Sequence, residues 1–397
     1  MLAGCAAHSS PAGPSAAPFI VTFWCAPPLA EFDDARAAEI AAAGFTTVGA
    51  PCEGGFDPQQ NQRALATAAR HGLRLWVADH RYGPGAIENP LWQELIADAV
   101  ADYGSAPALG GYFIVDEPPA TQFEAVAAVT AALRAADPDR LAYVNLLPSY
   151  IPPEALGAAS YEDYLERFVE IVQPTLLSYD NYPFGKEKDR SSFFTNLETV
   201  RAVALRHGLP FMLIVLAMPH GPYRDPTEAE LAWQVFHALA YGARGISYFA
   251  YWTPPSDEDW QNRNGLLEDG RPTLHYFQAA RLNQIVRALG AELTGFRSLA
   301  VADALGEVAA PLPIGPLEAI DGGPVTAGLF GDGTGRIAVL LVNRDYRYGV
   351  TAQVRRRPGV PPPAIFDPAT RAWRSAGDAP ITLAPGDARL LRWEAES

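Results

Sequence analysis

Long cationic runs and long apolar runs are both missing from this 397-residue chain. The longest basic run is Arg355-Arg356-Arg357, and the formal net charge is -15. Because nucleic-acid binding relies on clustered cations, this composition excludes it and favours a neutral polar substrate. No stretch reaches the roughly 18–20 consecutive apolar residues of a membrane-spanning helix.

Several catalytic signatures are missing as well. There is no GxSxG elbow, which disfavours an esterase, and no HExxH pair of helical metal ligands. A metal site built from Asp79, His80 and His220 is a weak alternative, and we predict no metal. The residues after the first predicted strand are Cys25-Ala26-Pro27-Pro28. They do not form a glycine-rich phosphate loop, and no organic cofactor is implied.

Cysteine is scarce, with three residues in all. The start, Leu2-Ala3-Gly4-Cys5, resembles a bacterial lipoprotein box, although the basic segment expected before it is absent. We predict that residues 1–17 form a tether with a lipid on Cys5, on a protein exported to the periplasm or cell surface. A chance match in an Ala/Gly-rich tail is the alternative. Cys25 and Cys52 end neighbouring predicted strands, where either a disulfide or two free thiols would fit.

Apolar strand-like runs alternate with helical patterns, as in repeated βα units. Eight such runs read as strands: 19–24, 46–50, 73–78, 112–115, 140–147, 175–179, 211–217 and 245–252. Eight strands and eight helices over roughly 280 residues predict a (β/α)8 TIM barrel spanning residues 18–297. Beyond it, short runs separated by turn residues predict a C-terminal antiparallel β-sandwich over 298–397, packed against the barrel.

The stretch Leu109–Pro119, LGGYFIVDEPP, ends an apolar strand in two adjacent carboxylates. Such groups are costly to bury, so Asp116 and Glu117 indicate chemistry at the mouth of the barrel. Repulsion from Asp116 and partial burial are expected to keep a proton on Glu117, as a general acid requires. A salt bridge from Glu117 to Arg81 is the structural alternative.

The other predicted strand ends are rich in acids, amides and aromatics, which suits a carbohydrate. Asp180 is the competing catalytic partner of Glu117, because the two strands can face each other across the mouth. Their carboxyls would be about 5–5.5 Å apart in a retaining enzyme and about 6.5–9.5 Å apart in an inverting one. Trp260, in the loop after the eighth strand, could also touch substrate. The predicted substrate-binding residues are Trp24, Glu53, Asp79, His80, Asn145, Tyr179, Tyr182, His220, Tyr251 and Trp252.

The segment Tyr112–Pro118 resembles the fourth-strand motif of TIM-barrel glycoside hydrolases. The large clan A group carries Asn-Glu there and a nucleophilic Glu at the end of strand seven. This chain has Asp116 before Glu117, and its strand seven ends in Leu-Ala-Met-Pro-His-Gly. The adjacent Asp-Glu is similar to the motif of hexosaminidase-type families, in which the acetamide of the substrate is the nucleophile. The resemblance implies that Asp116 orients this acetamide and that Glu117 is the acid/base. Ser178–Tyr182 also loosely resembles the Tyr-Asp motif of chitinase-like barrels.

We therefore predict a glycosidase that cleaves an oligo- or polysaccharide with Glu117 as acid/base and Asp116 or Asp180 as its partner. The alternative is a surface lipoprotein that binds glycans without cutting them. A lyase or isomerase would call for a lysine base or a metal cluster. Lys186 and Lys188 fall a few residues past strand six, not at a strand end.

Overall fold

The computed structural model describes residues 19–52, 57–258, 260–305, 310–311 and 315–394. Eight strands in this part of the chain form one parallel sheet in the order β1-β8-β7-β6-β5-β4-β3-β2. The (β/α)8 prediction is confirmed. The strands are β1 Ile20–Phe23, β2 Thr47–Val48, β3 Arg74–Ala78, β4 Leu109–Asp116, β5 Leu141–Leu146, β6 Leu177–Asp180, β7 Phe211–Leu216 and β8 Gly245–Phe249.

The helices pack around this sheet through their buried apolar side chains. In the helix Tyr161–Val172, the buried residues recur at helical spacing, Ser160 caps the first turn and Gln173 ends the helix with φ +54°. The helical pattern in the sequence after the fifth strand predicts a helix over the same residues, Tyr161–Val172. The helices are α1 Asp34–Ala42, α2 Pro58–Arg70, α3 Trp92–Tyr103, α4 Phe123–Ala136, α5 Pro153–Leu156, α6 Tyr161–Val172, α7 Phe193–His207, α8 Glu228–Ala240 and α9 Leu274–Leu293. Within the described ranges, no helix has the length and apolar character needed to cross a membrane.

The barrel closes where β1 meets β2, the shortest strand of the sheet. The Thr46 amide donates to the Val21 carbonyl at 2.8 Å across this seam. The chains approach so closely that a Cβ on Gly49 would lie 1.9 Å from the Phe23 carbonyl oxygen, so only glycine fits.

A disulfide joins Cys25 to Cys52 just beyond these two strands, with the Cα atoms 4.6 Å apart. It settles the alternative that the sequence left open. The bond links the carboxyl ends of β1 and β2 and so closes the seam at the mouth of the barrel.

Large side chains fill the interior of the barrel. Trp76 and Tyr143 stack with ring centroids 4.1 Å apart, and Met212 packs in the same cluster. Burial of each such side chain stabilises the fold by about 1.5–3 kcal/mol relative to leaving it exposed. Trp24 and Phe113 pack against this cluster and cover its upper side, so the mouth has an aromatic floor.

The C-terminal part is all β, as predicted. A small hairpin of β9 (Leu267–Glu268) and β10 (Arg271–Pro272) precedes α9, and β11 begins at Arg297. Two antiparallel sheets follow, in the orders β11-β14-β15-β20-β17-β18 and β12-β13-β16-β19. Their strands are β11 Arg297–Ala304, β12 Ala310–Pro311, β13 Leu317–Asp321, β14 Val325–Gly331, β15 Ile337–Asn343, β16 Val350–Arg356, β17 Ala364–Asp367, β18 Ala372–Ser375, β19 Ile381–Leu383 and β20 Ala388–Trp393.

The sandwich packs against α7 and α8 of the barrel. A Cβ on Gly328 would lie 2.1 Å from the Ala240 carbonyl oxygen, so β14 touches the α8 backbone. Trp233 donates through Nε1 to the Arg344 carbonyl at 2.7 Å, and the Arg344 guanidinium lies 3.6 Å from the ring centre of Phe194. The predicted contact between the two parts is therefore present.

Candidate active site at the barrel mouth

Glu117 lies one residue beyond the end of β4 in an unusual backbone conformation. Its φ is +48°, a region that non-glycine residues rarely adopt, and its amide donates to the Asn145 carbonyl at 2.9 Å. A strained backbone of this kind costs on the order of 1–3 kcal/mol and is found preferentially at functional sites. The Glu117 side chain is half-buried at this position.

Asn145 at the end of β5 holds the other two carboxylates together. Its Nδ2 donates to Asp116 Oδ1 and to Asp180 Oδ1, both at 3.1 Å. Its own Oδ1 accepts from the Ser178 hydroxyl at 3.2 Å, and that hydroxyl lies 2.9 Å from the Tyr143 phenol. The amide is therefore fixed in orientation with its donor towards the carboxylates. The structure brings together four of the predicted residues: Asp116, Glu117, Asn145 and Asp180.

Asp180 holds a proton more tightly than a free carboxylic acid does. Its pKa is raised well above the ordinary value, first by burial and then by the Glu117 carboxylate, which lies within hydrogen-bonding reach. Asp116 adds further repulsion, and the Asn145 amide opposes these effects.

Asp116 is exposed, but it lies in a concave mouth where protein surrounds it. Desolvation and the Glu117 carboxylate raise the pKa of Asp116 to about 7, and the Asn145 amide opposes the shift. No cation is among the main influences on Asp116 or Asp180. Burial without a neutralising cation therefore favours the protonated forms of Asp116 and Asp180.

The Arg81 alternative does not hold, because Arg81 is occupied elsewhere. Its guanidinium contacts Asp79 at 2.7 Å and Asp102 at 2.8 Å. Asp79 also accepts from the Tyr103 hydroxyl at 2.5 Å and from the Arg81 amide at 3.0 Å. The structure thus places Asp79 in a buried ion pair that caps the turn after β3, and His80 beside it is largely exposed.

Two groups of aromatic residues border the carboxylates. Trp24 and Phe113 form the floor, with ring centroids 5.5 Å apart. Tyr182 and His220 form a wall with a centroid separation of 5.2 Å, and the partly exposed Trp260 stacks on His220 at 5.7 Å. Burial lowers the pKa of His220 to about 4, so its imidazole is neutral near pH 7.

Other predicted binding residues lie away from the mouth. Tyr251 is fully buried, stacked on Phe23 at 4.3 Å, and its hydroxyl donates to Glu39 at 2.6 Å, which leaves no ring face for a sugar. Tyr179 is buried in the core, and Trp252 packs under Arg36 of α1 at 5.4 Å. Glu53 lies outside the described residues.

Three residues that the sequence analysis did not select belong to the wall. The Tyr223 hydroxyl donates to the Tyr150 hydroxyl at 3.1 Å, and the Arg190 guanidinium lies 3.8 Å from the ring centre of Tyr150. The position of Tyr150, four residues past β5, was the available signal. Arg190 and Tyr223 are deeper in loops and carry no periodic pattern. Among the described residues, no group of three acids, histidines or cysteines is arranged to hold a metal.

Comparisons with known proteins identify the fold. No protein-family model matches the chain, and no curated protein matches it by sequence. A catalytic mutant of a GH42 beta-galactosidase from G. stearothermophilus is similar with a TM-score of 0.64 and 8% identity, over 95% of this chain and 98% of that one. A glycoside hydrolase family 5 protein from Bacteroides vulgatus matches with a TM-score of 0.58 and 12% identity, over 94% and 89% of the two chains. A beta-galactosidase from the psychrophilic Marinomonas ef1 matches with a TM-score of 0.52 and 11% identity, over 69% of this chain but 60% of that chain. The chain therefore has the TIM barrel and β domain of such hydrolases.

Proposed function

We propose that this protein is a glycoside hydrolase that cleaves a glycosidic bond of an oligo- or polysaccharide. The carboxyl cluster of Asp116, Glu117 and Asp180 carries the proposal. It lies at the carboxyl ends of the barrel strands and has aromatic surfaces on two sides, and the pKa values of Asp116 and Asp180 are raised. A protein that only binds glycans would gain nothing from three unneutralised acids, which are costly to hold together. The similar solved structures support this reaction class.

Glu117 is the proposed proton donor to the leaving oxygen. Asp180 lies near enough to Glu117 for the Glu117 carboxylate to raise the pKa of Asp180. We therefore assign Asp180 the role of sharing a proton with Glu117. Asp116 is exposed at the mouth and is available to the reacting sugar, where it would stabilise positive charge at the anomeric carbon or orient a neighbouring acetamide.

We also propose that the protein is exported. The Cys25–Cys52 disulfide supports this, because such bonds persist in oxidising compartments. A lipid on Cys5 would hold the protein at a membrane surface, and labelling with a radioactive fatty acid before and after Cys5→Ala would test that part.

Replacing Glu117 by Gln tests the proposed reaction. A panel of aryl glycosides that includes galactosides, N-acetylhexosaminides and furanosides would first identify a substrate. Glu117→Gln removes the transferable proton but keeps the shape, so kcat should fall by about 10²–10⁴-fold. Glu124→Gln, on the exposed side of α4, is the matched control and should keep full turnover.

Unchanged turnover in Glu117→Gln with an intact fold would contradict the assignment. Binding of saccharides by both variants, with no turnover in either or in the parent protein, would instead support the glycan-binding alternative. NMR of the first product anomer would then separate retention from inversion.

A further inference from the structure

Lysine is almost absent from this chain, and its distribution is uneven. Lys186 and Lys188 are the two lysines in all 397 residues, against 28 arginines. Both lie in one loop after β6, together with Arg190. In a chain of net charge -15, three cations within five positions beside the proposed active site need an explanation. We name residues 185–190 the basic loop.

Backbone and side-chain contacts fix the basic loop to the wall of the mouth. The Lys186 amide donates to the Pro222 carbonyl at 2.9 Å, and Lys186 Nζ donates to the Gly221 carbonyl at 2.7 Å. The Arg190 amide donates to the Pro183 carbonyl at 2.8 Å. Lys186 is near enough to His220 for its charge to contribute to the lowered pKa of that imidazole. The cations therefore border the mouth.

Arg190 is positioned by aromatic residues. Its guanidinium lies 3.8 Å from the ring centre of Tyr150, and Nη2 donates to the Tyr223 hydroxyl at 3.2 Å. Burial raises the pKa of the Tyr150 phenol, the Asp180 carboxylate raises it further and the Arg190 guanidinium lowers it. Tyr150 therefore lies close to both Asp180 and Arg190.

The basic loop also carries two acids, Glu187 and Asp189, and neither forms an ion pair with Arg190 in the structure. Asp189, the preceding residue, pairs with Arg224 and accepts from the Tyr346 hydroxyl. Arg224 also pairs with Glu230. Among the residues that the structure describes, no carboxylate pairs with Arg190. A guanidinium held over an aromatic ring is suited to bidentate binding of an oxyanion.

We propose that Arg190 and Lys186 bind an anionic group on the saccharide, a uronic-acid carboxylate or a sulfate ester, next to the bond that Glu117 cleaves. This rests on the proposed function and narrows its substrate class. An anionic substrate also differs from the neutral substrate that we expected from the net charge of the chain. The overall charge would repel an anion at long range, so local cations are needed wherever an anionic sugar binds.

Isothermal titration calorimetry with the Glu117→Gln protein tests the proposal. The probes are a galacturonic acid trisaccharide, the same trisaccharide with its carboxyls reduced to alcohols, and an O-sulfated galactose trisaccharide. At least one anionic probe should bind about tenfold or more tightly than the neutral one, since hydrogen bonds to a charged group are stronger than those to a neutral group. The preference should shrink at high ionic strength.

Arg190→Gln should lower the ratio of anionic to neutral affinity by about tenfold or more, and Arg190→Lys by less. Lys186→Gln, at an exposed position, should lower the same ratio and provides a second variant if Arg190→Gln fails to fold. Arg281→Gln is the matched control, because it removes the same charge from an exposed ion pair with Glu228 on the outer helices. Comparison of the affinities for the galacturonic acid probe and the sulfated probe shows which anion is preferred.

Equal affinity for all three probes, or loss of neutral and anionic binding to the same extent in Arg190→Gln, would overturn the proposal. That result would leave the glycosidase assignment standing if Glu117→Gln still abolishes turnover. Conversely, an Arg190-dependent preference for anions in a protein that hydrolyses nothing would support the anion site and contradict the proposed function.

Discussion

Asp79 and Asp180 occupy equivalent places in the barrel but differ in their electrostatics. Asp79 follows the end of β3 and Asp180 ends β6, and both are almost fully buried, at 5% and 4% exposure. The pKa of Asp79 is lowered, because hydrogen bonds from Arg81 and Tyr103 outweigh its burial. The pKa of Asp180 is raised by burial and by Glu117. Their surroundings therefore favour the ionised form of Asp79 and the protonated form of Asp180, which is why we propose a catalytic role for Asp180 alone.

The difference shows that the partner of a strand-end acid decides its role. A buried charge is tolerable when a cation and further hydrogen bonds satisfy it, as around Asp79. At Asp180 the partners are an amide and a second carboxyl, which favour a shared proton. Residue type and position at a strand end do not distinguish these cases.

Asp180→Asn should have the largest effect of the substitutions that compare these two acids, and we expect it to lower kcat. The variant keeps the hydrogen-bonding shape but removes the carboxyl that shares a proton with Glu117, so we expect kcat to fall by about 10²–10⁴-fold. The free energy of unfolding should stay equal or rise at neutral pH, because a poorly compensated buried acid is lost. Kinetics on the identified aryl glycoside and urea unfolding measure the two quantities. Full turnover in Asp180→Asn would remove the proposed distinction.

Asp79→Asn should have the opposite outcome. It leaves Arg81 without its closest partner in a buried position, so the free energy of unfolding should fall by about 3–5 kcal/mol. Turnover per folded molecule should be retained, because Asp79 contacts neither Glu117 nor Asp116. Arg81→Gln in the same chain should recover part of the lost stability. A large loss of kcat in well-folded Asp79→Asn would instead place Asp79 in the catalytic machinery.

Sequence periodicity predicted the barrel well because parallel strands and amphipathic helices have distinct patterns. The predicted α6 matched residue for residue, and all eight barrel strands are present. Glu117 and Asp180 could be predicted to lie near each other because the carboxyl ends of strands meet at one edge of the barrel.

The aromatic residues were harder to place. The eighth strand was predicted to end at Trp252, but its ladder ends at Phe249, and the chain beyond turns Tyr251 towards α1 and the core. Arg190 and Tyr223 lie in loops whose course depends on contacts such as that between Lys186 and Pro222. Periodicity carries no information on such contacts.

The pH dependence of stability should separate the two acids by sign. Asp180 has a raised pKa, so its contribution is complete below the unfolded pKa, about 4, and is lost as pH rises through the folded value. The stability of Asp180→Asn relative to the parent should therefore increase from pH 4 towards pH 8. Asp79 has a lowered pKa, so its contribution is complete above about pH 4 and is lost as pH falls through the folded value. The deficit of Asp79→Asn should be constant near neutral pH and should shrink below pH 4. Urea unfolding of both variants and the parent from pH 3 to pH 8 measures these differences in the free energy of unfolding. If both differences changed with pH in the same direction, the two carboxylates would have equivalent surroundings in solution.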